Sequence, residues 1–282
     1  MVSQLPSQSA HLAKLAPTSP VAVAVVGDFQ RSSSSDDRRP IFAFFFTTDL
    51  GGYLRRCFAF VANKVRSFFW PESEPTYKDV PLSPETSRRL RQVHRKTLIL
   101  DLDETLVHSC YTDPETNEPV GCSQVPQAAM PDYQLSVTVD GLEPIAFKVY
   151  KRPHVDLFLK YVSQWYDLVV YTASLEIYAS QVVDRLDNGR GMIQKSFYRQ
   201  HCSSTTSMVS KDLTVVNPDM SGTFIIDNSP NAYRDFPDNA IPIKTYIYDP
   251  EDTELLNLLP FLDALRFTKD VRSVLSRRVS SR

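Results

Sequence analysis

The stretch LILDLDETLVHS, residues 98–109, runs an apolar segment straight into Asp101, Asp103 and Glu104. Carboxylates this close repel one another, and the end of a buried strand solvates them poorly. Such crowding persists where a cation or a reaction offsets it. The apolar half reads as a short buried strand, KTLILDL, and two further runs share its character: DLVVYTA and GTFIIDN. Between the strands lie segments of helical spacing. HVDLFLKYVSQWY is one, residues 175–186 a second, DTELLNLLPFLDALRF a third and residues 268–278 a fourth. Pro260 is expected to kink or break the third, because proline lacks the N–H that a helix interior uses. YQLSVTV and IAFKVY alternate as half-buried strands around a turn at DGLEP. Apolar strands separated by helices predict an α/β fold, a parallel sheet with helices on both faces.

Ligands in such folds bind at the carboxyl ends of the parallel strands. The three strand ends here carry Asp101 and Asp103, then Thr172 and Ser174, then Asp227 and Asn228, with Lys211 in the sequence between the last two sets. Carboxylates without histidine or cysteine companions favour a hard cation with oxygen ligands, most simply Mg2+. A carboxylate beside it is able to attack a phosphoryl group, and a second carboxyl two residues on to protonate the leaving oxygen and then activate water. A hydroxyl and an ammonium, Thr172 and Lys211, suit the phosphoryl oxygens, where charge is spread in the transition state. Taken singly, each element has a plainer explanation: Asp-x-Asp as a solvated loop, Thr172 as a strand-end hydroxyl, Lys211 as a surface charge, Asp227-Asn228 as a turn. The three compatible strand ends together favour metal-assisted phosphoryl transfer. Glu104 is expected to face solvent or a neighbouring cation, and Thr105 to brace the loop that aims Asp103. His94 and His108 show no partner in the sequence and read as structural. There is no P-loop signature.

Composition narrows the classes. Hydrophobic residues make up 42% of 282, enough for a real core, and the formal charge of -2 excludes an electrostatic nucleic-acid binder. Cys57, Cys110, Cys122 and Cys202 form no CxxC pair and read as free thiols. Residues 1–40, rich in Ser and Pro, are expected to be a disordered extension. Residues 41–70 carry many Phe broken by Asp49, Arg55, Arg56, Lys64 and Arg66. On a helix, Leu54, Cys57, Phe58, Val61, Val65, Phe68 and Phe69 make one stripe, as a membrane-associating amphipathic segment requires. Residues 71–84, with four prolines, are a linker. The compact domain is expected over 85–280. Only a loop and a small β-hairpin fit between Asp103 and Thr172 besides a helix and a strand. No large cap domain would cover the site, so it suits a phosphorylated protein segment rather than an enclosed metabolite.

DLDETLVHS, KRPHVDLFL, YTASLEIYA, KDL and DNSP, in that order, resemble the haloacid-dehalogenase-type phosphatases of the RNA polymerase C-terminal-domain phosphatase family. YRQHC, DNAIPIK and LLNLLPFLDALRFTKDVRSVLSR are most similar to its nuclear-envelope branch. The resemblance implies a haloacid-dehalogenase-like fold and a Mg2+-dependent protein serine/threonine phosphatase. It implies Asp101 as nucleophile and Asp103 as acid/base. It also implies metal ligation by Asp101, the Asp103 carbonyl, Asp227 and Asn228, and phosphate contact by Thr172 and Lys211. It implies further a place at the endoplasmic reticulum and nuclear envelope, a small membrane regulatory subunit and a lipin-like phosphoprotein substrate. Membrane lipids would be met through 41–70. Just before Lys211, Ser207 and Val209 stand where the family usually has glycine and tyrosine. Two other readings remain open at this stage: a soluble nuclear phosphatase of polymerase tails, and a non-catalytic, membrane-tethered binding module on the same fold.

Overall fold

The structure, a computed structural model, describes residues 77–277 apart from 79, 114–115, 139–142 and 206–207. The expected disordered extension 1–40, the expected membrane segment 41–70 and half of the linker 71–84 lie outside the described residues. Tyr77, the first residue described, is not a loose tether. Its ring meets Tyr161 and Trp165 edge-on, with centroids 5.1 and 5.6 Å away, and its hydroxyl donates to Asp263 at 2.8 Å. The first helix, α1 (Pro84–Leu90), starts where Ser83 Oγ accepts the Thr86 N–H and proline occupies the first turn.

Five parallel strands make the main sheet. These are β1 (Lys96–Leu100), β6 (Tyr166–Tyr171), β7 (Ile193–Phe197), β10 (Thr223–Asp227) and β11 (Ala240–Pro242), ordered β11-β10-β1-β6-β7. Leu98 stands beside Phe224 on one side and Leu168 on the other. Alternation along the strands then sends Leu98, Leu100, Leu168, Val170, Phe224 and Ile226 into one core, and Ile99, Val169, Tyr171 and Ile225 into another.

The two faces of the sheet are covered unequally. The larger core is closed by three long helices: α2 (Val155–Trp165), α3 (Glu176–Asp187) and α4 (Glu254–Leu265). The smaller core is covered by 3-10 turns and loops, through Leu213, Ala232 and Tyr233. Two predicted elements differ. Helix α4 continues through Pro260, because Leu255, Leu256, Leu259, Leu262 and Leu265 are buried and hold its two halves on one core. The last helix, α5, covers only Arg272–Leu275.

Between β1 and α2 stands the insertion. Its expected hairpin is β4 (Tyr133–Val137) with β5 (Ile145–Lys151), and it is enlarged by β2 (Val107–Thr112) and β3 (Pro119–Val120) into an antiparallel sheet ordered β3-β2-β5-β4. It is a small sheet packed on α3, not a cap domain. A short hairpin, β8 (Ser203–Thr205) with β9 (Met208–Ser210), leads into Lys211. The fold is of the α/β type expected, a parallel sheet with a small antiparallel insertion. Among the described residues, no helix is long and apolar enough to cross a membrane, and Cys110, Cys122 and Cys202 are free thiols.

Candidate active site

Three neighbouring strands deliver the groups that the sequence placed at their ends. The Asp101 N–H bonds the Ile226 carbonyl at 3.0 Å, so β1 stays paired with β10 to the residue that carries the carboxylate. The Thr172 N–H likewise bonds Phe197 O at 2.9 Å. Asp101, Asp103, Thr172, Lys211 and Asp227 are all buried, and Asn228 is half-buried. Beyond β1 the chain turns at once: the Thr105, Leu106 and Val107 N–H groups all point to Leu102 O. Glu104 takes a left-handed φ of 59° to make the turn, a strained choice for a residue with a side chain.

Lys211 is the pivot. Its Nζ donates to Asp101 Oδ1 at 2.6 Å and to Asp227 Oδ2 at 2.7 Å. Burial pushes the Lys211 ammonium down, but the two carboxylates outweigh it and hold the group well above the usual lysine range. One ammonium between two carboxylates leaves one negative charge over. Burial, and then Asp101, push Asp227 up to about 7. The remaining contacts aim oxygen atoms at the same place. Thr105 Oγ1 donates to Asp101 Oδ2 at 2.7 Å and lies 3.4 Å from Asn228 Oδ1. The Asn228 Nδ2 is turned away to Thr245 Oγ1, at 3.2 Å, which leaves its amide oxygen on the Asp101 side. Asp227 Oδ1 accepts the Ser229 N–H at 2.8 Å.

This donor set is all oxygen and one positive charge short, which is the chemistry of a site for a hard divalent cation. Among the described residues, no three His, Cys, Asp or Glu side chains gather for a metal. The oxygen atoms brought together here come from two carboxylates, Asp101 and Asp227, and the Asn228 amide.

Asp103 points elsewhere. Ser174 Oγ donates to its Oδ2 at 2.6 Å, Thr172 Oγ1 approaches the same oxygen at 3.4 Å, and the Tyr178 hydroxyl donates to Oδ1 at 2.8 Å. Burial, with Asp101 adding repulsion, pushes the Asp103 carboxyl up despite those donors. The two carboxylates of DLD therefore occupy different environments: one beside an ammonium, the other among hydroxyls.

The neighbours of the motif correct two expectations, for Glu104 and Thr105. Glu104 does not face solvent. It is buried with Oε1 3.3 Å from His108 Nδ1, and burial pushes it up to about 7. His108 is the hydrogen-bonded structural histidine expected, held by Glu104 and by the Gly121 carbonyl 2.7 Å from Nε2. Burial lowers its tendency to charge, but these two bonds outweigh that and raise it. Gly121 needs to be glycine, since a Cβ there would meet Ser109 O at 2.5 Å and its φ is 74°. Thr105 braces Asp101 rather than the loop that aims Asp103.

Three contributors escaped the sequence reading. Tyr178 reads in the sequence only as one apolar position of a predicted helix. Ser109, 2.5 Å from the Tyr178 hydroxyl, lies on a strand that had not been recognised. Arg152, wholly buried, reaches Thr105 O at 3.1 Å and both oxygens of Asp252 at 2.8 Å. Its guanidinium thus ties the motif loop to the start of α4; the signal was an arginine beside a proline in KRPH, which the domain reading left without a role.

Comparison with known proteins gives the family. Residues 96–272 match the family model described as NLI interacting factor-like phosphatase. CTD nuclear envelope phosphatase 1 of Xenopus tropicalis is 57% identical over 203 residues, 72% of this chain and 80% of the relative. Its homolog in Drosophila melanogaster is 52% identical over 225 residues, 79% of this chain and 89% of the relative. Among solved structures, Fcp1, titled an essential RNA polymerase II CTD phosphatase, overlays 70% of this chain and 56% of its own at 25% identity and a TM-score of 0.45. With a family model over most of the chain and relatives more than half identical, the chain belongs to the NLI interacting factor-like phosphatases, in the company of the CTD nuclear envelope phosphatases.

Proposed function

We propose that this phosphatase is a Mg2+-dependent protein serine/threonine phosphatase that works through an aspartyl-phosphate on Asp101. The observation that carries the proposal is the division of labour between the two DLD carboxylates. Asp101, held by Lys211 and Thr105, keeps an oxygen next to the oxygen-lined, cation-poor site. Asp103 sits in a hydroxyl-lined, buried pocket that favours holding a proton.

In the first step an Asp101 oxygen forms a bond to phosphorus and the bond to the substrate oxygen breaks. Asp103 gives its proton to that oxygen, so a neutral serine or threonine hydroxyl leaves. In the second step a water oxygen attacks phosphorus, the bond to Asp101 breaks, and the water's proton goes to Asp103. Lys211 and Thr172 are proposed to contact the phosphoryl oxygens. Asp101, Asp227, Asn228 and the Asp103 carbonyl would hold Mg2+, which supplies charge stabilisation to the transferring phosphoryl group. The test uses the full chain and a phosphoserine peptide. Chelation lowers turnover by at least about 100-fold, and added Mg2+ restores it. Turnover indifferent to chelation refutes the metal assignment.

Location and substrate are proposed from the resemblance and the names of relatives. The relatives are called nuclear envelope phosphatases, and we place this chain at the nuclear envelope and endoplasmic reticulum membrane. A lipin-like phosphatidate phosphatase is the proposed substrate, and a small membrane regulatory subunit the proposed partner. Among the described residues the antiparallel insertion is a small sheet and not a cap domain, which supports a protein substrate. Residues 41–70 are proposed to lie in the membrane interface through their aromatic stripe and basic flanks. Vesicles containing anionic lipid should therefore carry the full chain upward in a density gradient and leave a variant lacking 41–70 behind. Equal flotation of the two would overturn this.

A further inference from the structure

Asp103 is served by residues from three separate elements. Ser174, just after β6, covers one carboxylate oxygen. Tyr178, in the first turn of α3, covers the other. Ser109, on β2 of the antiparallel insertion, holds the Tyr178 hydroxyl from behind at 2.5 Å. Tyr178 is buried, and its ring lies against Phe147 of β5 with centroids 4.8 Å apart; Phe147 in turn lies 4.7 Å from Tyr111 of β2. The ring is thereby fixed by the small sheet and the hydroxyl by Ser109.

The hydrogen atoms can be assigned for Asp103 once it has given up its proton. The ionised carboxylate only accepts, so Tyr178 and Ser174 both donate to it. With its own hydrogen committed to Asp103, the Tyr178 oxygen accepts from Ser109. The series Ser109 to Tyr178 to Asp103 then runs in one direction and every hydroxyl is satisfied.

We infer that Tyr178, backed by Ser109, is the positioning residue for Asp103, so that the antiparallel insertion sets the direction in which the site delivers its proton. The inference rests on the reading of Asp103 as acid/base. The hydroxyl is buried and committed to Asp103 and Ser109. It fixes one oxygen of Asp103 while Ser174 fixes the other, which leaves a single carboxyl orientation facing the leaving oxygen. Proton delivery loses efficiency when that orientation is free to wander.

Leaving groups differ in their need for this proton, and the difference gives the test. A serine alkoxide must be protonated as it departs; dinitrophenolate departs as a stable anion. First-turnover release is measured for a phosphoserine peptide and for dinitrophenyl phosphate, both with Mg2+ present. In Tyr178→Phe, release of the peptide hydroxyl slows about tenfold while dinitrophenolate release stays within about twofold of the parent, and KM for the peptide is unchanged. Ser109→Ala gives the same selectivity in smaller measure. Slowing of both substrates alike, or of neither, overturns the inference. Asp103→Asn is the control on the underlying reading: it shows the same selectivity, more strongly. If Asp103→Asn shows none, the acid/base assignment itself falls; if it does and Tyr178→Phe does not, only the role of Tyr178 falls. Should Tyr178→Phe fail to fold, Ser109→Ala decides alone, by the same two rates.

Discussion

Asp101→Asn is expected to abolish turnover, by about 10^4-fold or more on both aryl phosphate and phosphoserine peptide, without unfolding the protein. An amide is too weak a nucleophile to form the phosphoryl bond. The fold should tolerate it for reasons visible in the contacts. Asparagine can turn its oxygen to Lys211, in place of Asp101 Oδ1, and its NH2 to Thr105, whose hydroxyl is then free to turn toward Asn228 Oδ1 at 3.4 Å. The substitution also leaves Lys211 and Asp227 as a one-to-one pair. Asp227, raised to about 7 by burial and then by Asp101, moves back down once Asp101 is uncharged. Without metal the melting temperature therefore stays within about 3 °C of the parent. Turnover within tenfold of the parent would mean that another group attacks phosphorus.

How legible was this site? The strand ends were, because each ends an apolar run of β-branched and leucine residues and the polar groups follow at once: Asp101 after TLIL, Thr172 after DLVVY, Asp227 after TFII. A strand buried on both faces leaves little choice of element. Strands β7 and β11 were missed for the opposite reason. IQKSF is half exposed at a sheet edge and AIP is three residues long, so neither shows an apolar run. Strand β2 was hidden by the motif itself: VHSCYT follows the acidic cluster and reads as more of the same loop. Glu104 shows the deeper limit. Its pairing with His108 needs the chain to turn back over four residues through a left-handed conformation, and only tertiary contacts, including the Tyr246 N–H to Glu104 O at 2.7 Å, hold it there. Tyr178 was legible as a buried helix position but not as a donor, because Asp103 lies 75 residues earlier in the chain.

Lys211→Met carries the second large effect, this time on stability as well as rate. Among the described residues, Lys211 is the one cation paired with either Asp101 or Asp227. Methionine matches its length but takes the charge away, and two buried carboxylates are left facing each other. Removing one partner of a buried ionic group costs about 3–5 kcal/mol. For a domain of this size that lowers the melting temperature by roughly 6–20 °C. The pH dependence has a definite sign. A carboxyl whose folded pKa lies above its unfolded value loses stability as pH rises through that range, and burial already puts Asp227 near 7 with the lysine present. Without the lysine the loss is therefore largest near pH 8 and shrinks toward pH 5, where the carboxyls take up protons. Mg2+ should then raise the melting temperature of the variant more than that of the parent, since the ion enters a site with two uncompensated charges instead of one. Turnover nevertheless stays down by about 100- to 1000-fold with Mg2+ present, because no ammonium remains for the phosphoryl oxygens. A variant as stable as the parent at pH 8 would show that the two carboxylates do not share one cation. Equal Mg2+ shifts in the two proteins would separate the metal from this pair of carboxylates altogether.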